Sequence, residues 1–300
     1  MTTGEFRSGF IAVIGRPNVG KSTLVNRLVG QKISITSRRP QTTRHRILGI
    51  KTSSDAQMIY VDSPGVQSQG GGGMNQYLNR AASGSVEGVD CVLLVIGVSG
   101  WLPEDAPALT LVRRQKCPVV LVINKVDRLA DRSQLLPLIE ESRTKMGFAE
   151  IVSVSARTGD NVAALETVVR SHLPEHPAQF PAEQVSDRSD RFMVGELVRE
   201  QVFRSFGQEV PYATAVMIDS FRQEPGLLRI EATIFVEKEG QKAILIGKDG
   251  VRLKEIGKRA RLEMQKLFGT KVYLGLWVKV REGWSDDARL LRSFGYGDDS

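Results

Sequence analysis

The chain has 300 residues, 41% hydrophobic and 25% charged, which suits two domains and excludes wholesale disorder. Two cysteines, Cys91 and Cys117, exclude a disulfide-stapled scaffold and a protein-bound four-cysteine zinc site, and read as buried thiols of a reducing compartment. The net charge of +7 is concentrated in residues 32–51 and 242–281, and two such patches point to a polyanionic partner.

No apolar run exceeds about eight residues, far short of the ~20 that cross a bilayer, and the first residues lack the pattern of a signal peptide. A cytoplasmic location is expected. From the N-terminus, FIAVIG (10–15), MIYVD (58–62), CVLLVIGV (91–98), PVVLVINK (118–125) and IVSVSA (151–156) are apolar almost throughout. Such strands are buried on both faces and imply a mostly parallel sheet with helices packed on each side. RILGIK (46–51) is more polar and is expected at an antiparallel edge. The run Gly70–Gly73 is expected to form a mobile loop.

Between the first strand and a helix that Gly30 closes lies Gly15-Arg-Pro-Asn-Val-Gly20-Lys21-Ser22, which fits GxxxxGK[ST] in the context the motif requires. Its backbone N–H groups and the helix N-terminus suit a phosphate, Lys21 suits the outer phosphates, and Ser22 suits magnesium. Gly15, Asn18, Val19, Gly20, Lys21, Ser22 and Thr23 are therefore candidate nucleotide contacts. Asp62-Ser63-Pro64-Gly65 ends the next buried strand, with Asp62 placed to serve the metal directly or through water and Gly65 beside the phosphates. Asn124-Lys125-Val126-Asp127 ends another strand. A carboxylate there can accept from both N1–H and N2–H of guanine, so Asp127 would choose the base. Asn124 would brace the pocket, the Lys125 stem would lie along the purine, and a backbone N–H at Ser155 or Ala156 would reach guanine O6. All sit at carboxyl ends of strands, where open α/β sheets bind ligands.

These motifs, in this order, resemble the P-loop GTPase family. The resemblance implies GTP and GDP as ligands, Mg2+ as cofactor, and a second metal ligand from the switch stretch Gln41-Thr42-Thr43-Arg44. It favours Thr43 over Thr42 and makes Ser22, Thr43 and Asp62 the metal set. Ras-like relatives carry a water-orienting Gln after DxxG; here the position is Val66, so intrinsic turnover is expected to be slow. Val66 also resembles a subgroup whose members hold potassium with a P-loop Asn. Asn18 is then either a catalytic potassium ligand, beside Lys21 and Thr43, or only a loop former.

Residues 173–187, LPEHPAQFPAEQVSD, carry three prolines and no apolar periodicity, and read as a linker. Beyond it the order is helix (192–207), two alternating strands, a short helix, Gly247-Lys248-Asp249-Gly250, a basic helix from about Val251 to Phe268, and a strand. A GxxG loop between two helices in this order resembles the type II KH module, whose glycines let a nucleic-acid backbone approach closely. Gly247, Lys248, Asp249 and Gly250 are the expected RNA clamp, with Arg252, Lys254, Lys258 and Arg259 as phosphate contacts. The expected layout is an α/β GTPase domain over 1–173, a linker over 174–187, an α+β KH domain over 188–291 and a disordered tail over 292–300.

QTTRHRILGI and DSPG followed by a KH module resemble the Era family of ribosome-assembly GTPases. That resemblance implies binding near the 3′ end of 16S ribosomal RNA, a role in biogenesis of the small (30S) subunit, and peripheral association with the inner membrane face. Ser63 departs from the usual Thr of DTPG. Rival readings are an RNA-binding module that keeps GTP as a structural ligand, and a membrane-surface GTPase with its basic patches on anionic lipid.

Overall fold

The structure is a computed structural model describing residues 6–66, 73–207 and 209–296, so Gly70–Gly72 of the glycine run lie outside the described residues. The chain divides into two compact units. One holds residues up to 34, 43–70 and 78–187; the other holds 35–42, 71–77 and 188–300. Among the described residues, no helix is long and apolar enough to cross a membrane.

The first unit is built on β1 (Arg7–Ile14), β2 (Ile47–Thr52), β3 (Ala56–Asp62), β4 (Cys91–Gly97), β5 (Val119–Asn124) and β6 (Glu150–Val154), in the order β2-β3-β1-β4-β5-β6. β2 pairs antiparallel with β3, and every other pairing is parallel. Every residue of β3, β4 and β5 is buried, as the unbroken apolar runs require. Helices α1 (Lys21–Val29), α3 (Ala106–Val112), α4 (Leu135–Lys145) and α5 (Val162–Ser171) follow successive strands, and α2 (Gly73–Gly84) precedes β4. Gly30 ends α1 in the left-handed region, with its N–H on Asn26 O.

The proline-rich segment 174–187 belongs to this unit and lies along it, with a turn at residues 181–184 closed by the Gln184 N–H on Pro181 O (3.1 Å). The Ile50 N–H of edge strand β2 donates to Val185 O (2.9 Å), the Leu48 N–H donates to Asp187 Oδ1 (2.9 Å), and Gln57 Oε1 accepts from the N–H groups of Gln179 and Phe180. Prolines remove donors, but they leave the carbonyls that the edge strand needs.

The second unit contains α6 (Asp190–Ser205), β7 (Ala215–Glu224), β8 (Leu227–Val236), α7 (Glu239–Ile246), α8 (Val251–Phe268), β9 (Lys271–Val280) and α9 (Ala288–Ser293). The sheet order is β7-β8-β9, with β7 antiparallel and β9 parallel to β8. Val198 and Val202 of α6, Ile256, Ala260 and Met264 of α8, and Ile230 and Ile234 of β8 meet in its core.

α6 is not the simple two-faced helix its sequence suggests, because residues 193–203 are all buried. One face packs in the core; the other lies under residues 35–42 of the same unit. There Glu200 Oε1 accepts from Thr36 N–H (2.9 Å) and from Arg204 (2.9 Å), while Arg199 pairs with Glu196 and donates to Thr42 O (2.5 Å). Buried charges in such pairs are tolerated only because each is hydrogen-bonded.

The C-terminal residues expected to be disordered are ordered through Tyr296. α9 is capped by Asp287, and Trp284 (fully buried) stacks on Tyr296 at 6.0 Å and meets Phe294 edge-on at 5.5 Å. Aromatic burial offsets the entropy of ordering so short a segment. Residues 297–300 lie outside the described residues.

Candidate functional site

The loop of residues 15–20 leaves β1 and enters α1 with Gly20 at φ 103° as its N-cap residue. A Cβ on Gly20 would lie 2.4 Å from Asn124 Nδ2, so this position takes glycine on both conformational and steric grounds. Asn124 ties the loop down: its Nδ2 donates to Val19 O (2.8 Å), and its Oδ1 accepts from the N–H groups of Lys125 (2.7 Å) and Ala156 (3.0 Å). Gly65 approaches the same loop so closely that a Cβ would stand 2.7 Å from Pro17 N, which brings the end of β3 against the phosphate loop. Val66 packs on the apolar core around β4 and β5 and offers no group to orient water.

Lys21 is buried and its Nζ donates to Gly15 O (3.0 Å) and Arg16 O (3.2 Å). Burial lowers the ammonium from 10.5 to about 8, against the opposing attraction of Asp62. An arriving phosphate would restore the charged form. GDP affinity should therefore hold steady below about pH 8 and fall as pH rises from 8 through 10.5, with proton uptake on binding in that window. Calorimetry in buffers of different ionisation enthalpy checks this; binding without proton uptake at pH 9 contradicts it.

Asp62 is fully buried and neither of its carboxylate oxygens has a hydrogen-bond partner. Burial pushes its carboxyl up, and the charge of Lys21 pulls it back down. Two orphaned oxygens at this depth are costly unless a cation takes them up. The Ser22 and Thr43 hydroxyls lie 2.7 Å apart. The Thr42 hydroxyl is committed in its own turn, to Arg39 O (2.8 Å) and Ser37 Oγ (2.6 Å). The set of Ser22, Thr43 and Asp62 is all oxygen, which fits a hard divalent ion such as magnesium.

Asn18 is exposed and holds φ at 64°, a left-handed conformation that Asn tolerates well. Its carbonyl accepts from Lys125 Nζ, which stretches the Lys125 stem from β5 to the phosphate loop. Asp127 is held by the Ser155 hydroxyl on Oδ1 (2.5 Å) and by Arg157 on Oδ2 (2.5 Å), and these partners keep its carboxyl below the ordinary range. The Ser155 N–H donates to Asp160 O (3.0 Å) and the Ala156 N–H to Asn124, so both are engaged within the protein. Thr23 follows Ser22 in the first turn of α1.

The sequence reading missed three participants. Arg16 pairs with Asp105, 1% exposed, at 3.2 Å, and Asp105 Oδ2 also accepts from the Leu102 N–H (3.0 Å), tying the phosphate loop to the segment after β4. Arg157 is the third, on Asp127. In the opposite sense, Arg44 is 1% exposed and does not belong to an open basic patch.

In the second unit, Gly247 (φ 71°), Asp249 (φ 52°) and Gly250 (φ 72°) turn the chain sharply between α7 and α8. A Cβ on Gly250 would meet nothing within 4 Å, so the loop's surface is open to an approaching backbone. The predicted cations split between two sides of α8. Arg252 and Arg259 line a cleft of about 790 Å3 with Arg204 and Ile244, Arg252 donating to Ile244 O and Arg259 pairing with Glu255 (2.7 Å). Gly257 faces β9, where a Cβ would lie 3.3 Å from Leu276. Lys254 and Arg261, one turn to either side of Gly257, share that side with Lys258 next to them. Arg261 is a further cation that the helical period of 251–268 already carries.

Residues 10–125 match the model of a family described as 50S ribosome-binding GTPase, and residues 209–285 match the KH domain. GTPase Era of Coxiella burnetii (strain Dugway 5J108-111) is 53% identical over 288 residues, covering 96% of this chain and 97% of that protein. GTPase Era of Xanthomonas oryzae pv. oryzae (strain MAFF 311018) is 53% identical over 296 residues and covers 99% of both. Among solved structures, Era in complex with MgGDPNP and nucleotides 1506–1542 of 16S ribosomal RNA superposes with a TM-score of 0.94 at 39% identity, covering 97% of this chain and 99% of that one. With the phosphate loop, the Asn124–Asp127 motif and the GxxG turn all in place, this chain belongs to the Era family of GTPases.

Proposed function

We propose that the chain is a GTP-driven switch that holds the 3′ region of 16S ribosomal RNA during assembly of the 30S subunit. The observation that carries the nucleotide half is the pair of orphaned Asp62 oxygens beside the Ser22 and Thr43 hydroxyls. Ser22, Thr43 and Asp62 would hold magnesium, directly or through its water, and the metal would neutralise charge on the outer phosphates. Lys21 would leave the loop carbonyls for the phosphates. Asp127 would accept from guanine N1–H and N2–H, giving up part of its hold on Ser155 and Arg157. Thr43 can join the metal only in the γ-phosphate state, which makes residues 35–43 the segment that reports the nucleotide.

For RNA, support comes from the open turn at Gly247–Gly250, with Lys248 in it and Lys254, Lys258 and Arg261 beyond. These would hold the backbone of about four nucleotides. The relative whose complex contains nucleotides 1506–1542 of 16S ribosomal RNA supports the choice of RNA.

Because Val66 cannot orient water, hydrolysis needs another group. Asn18 is exposed in the loop that would hold the phosphates, where its side-chain oxygen would be free to ligate a monovalent cation. GTP turnover should be several-fold faster in potassium than in sodium, and Asn18→Ala should erase the difference. Equal rates in the two salts would leave Asn18 a loop former. The rival, a structural GTP, is separated by following bound GTP with and without the RNA. The switch reading expects conversion to GDP; GTP that persists intact under both conditions contradicts it.

A further inference from the structure

The clamp reading leaves the exposed face of the second unit's sheet without a task. Along β9, Val272, Leu274, Leu276, Val278 and Val280 face the core. The alternate residues, Tyr273, Gly275 and Trp277, face away from it, and the two rings are 45% and 47% exposed. The Trp277 ring lies over Gly275, where a Cβ would stand 2.9 Å from its edge and 3.7 Å from the Tyr273 ring. Gly275 thus leaves between the two rings a gap that a side chain would fill. Arg229, opposite Tyr273 on β8, places its guanidinium 4.7 Å from the Tyr273 ring centre. Lys271 and Lys279 flank the pair on the same face of β9, which bears no acid.

Leaving large rings in water is unfavourable unless something covers them. Two π-faces flanked by Lys271 and Lys279, with Arg229 held between the Tyr273 ring and Glu224 (3.1 Å), match the demands of one polymer class, single-stranded nucleic acid: rings stack bases, while the lysines meet phosphates. Glu231, opposite Gly275, can accept from a base's exocyclic amine. β9 is also an edge strand, and the helical period puts Lys254 and Arg261 on the side of α8 where Gly257 meets Leu276 of β9. A strand leaving the Gly247–Gly250 turn along α8 has a basic path to β9, beyond which the rings stand.

We propose that Tyr273 and Trp277 form a second RNA subsite, stacking one or two bases of the single strand that leaves the clamp. This rests on the reading of the second unit as RNA-binding. The test uses the full chain and two probes from the 3′ end of 16S ribosomal RNA, one of about four nucleotides and one of about twelve. The longer probe should bind wild type more tightly than the shorter and quench Trp277, since Trp284 is fully buried and Trp101 is partly so. Trp277→Ala should weaken the longer probe by about tenfold and leave the shorter unchanged. Trp277→Phe, which keeps a ring, should restore most of the loss. Lys248→Asp should weaken both probes. If Trp277→Ala binds the longer probe like wild type while Lys248→Asp does not, the subsite is overturned, the clamp stands, and the ring pair is left for a protein partner. If both probes weaken equally in Trp277→Ala, or Phe restores nothing, stacking is also overturned. Failure of both probes to bind wild type overturns the RNA reading itself.

Discussion

Asp127→Asn should lower affinity for GDP by about 10^3-fold or more and create affinity for xanthosine diphosphate. The carboxylate can accept from both guanine N–H groups; an amide presents one acceptor and one donor. That donor would face guanine's amino group, leaving buried polar atoms unpaired, the condition under which hydrogen-bonding sites reject analogues by large factors. Xanthine carries a carbonyl where guanine carries the amino group, so the amide donor regains a partner. Arg157 loses its ion pair in the same substitution, so part of the loss reflects the pocket's own arrangement. Asp127→Ala separates the two, since it should lose GDP without gaining xanthosine diphosphate. Competition between the two nucleotides checks this, and GDP that still outcompetes xanthosine diphosphate on Asp127→Asn contradicts Asp127 as the base selector.

The second large effect is at the turn between α7 and α8. Lys248→Asp turns an attractive charge into a repulsive one where a phosphate backbone would sit closest. RNA affinity should fall by about 100-fold or more at moderate salt, and the salt dependence of what remains should be shallower, because fewer counterions are released. GDP affinity should not move, since the residues assigned to the nucleotide site belong to the other unit. Arg259→Ala should do much less, because that guanidinium is already paired with Glu255 on the other side of α8. Equal losses in the two variants would place the RNA on the wrong side of the helix.

What the sequence made legible was set by the range of the interactions. Lys21, Asp62, Asn124 and Asp127 lie in short motifs at the ends of apolar strands, and strand burial alone places those ends together. The parallel sheet and its antiparallel edge at β2 follow from the same runs. The Arg16–Asp105 pair does not, because the two are 89 residues apart and an Arg within GxxxxGK[ST] carries no mark of its partner. Arg44 reads as a surface cation by composition, and only tertiary packing buries it. α6 shows the same limit: its charged face looks solvated until residues 35–42 are seen lying on it. The C-terminal residues looked polar enough to be disordered, yet Phe294 and Tyr296 have Trp284 to pack on, a contact no local pattern announces. On α8 the helical period was evident, but not which side faces β9; the small residue Gly257 marks that side only once Leu276 is known to lie against it.

A ligand shifts a protein between states only by as much as it binds one state better than the other. The central claim, that GTP controls the hold on RNA, therefore stands or falls on one comparison. The affinity of the full chain for an RNA from the 3′ end of 16S ribosomal RNA should be measured with magnesium and a non-hydrolysable GTP analogue, and again with GDP. The account predicts at least tenfold tighter binding with the analogue, a difference that Thr43→Ala reduces. Equal affinities in the two nucleotide states would contradict it and leave two binding activities on one chain with no switch between them.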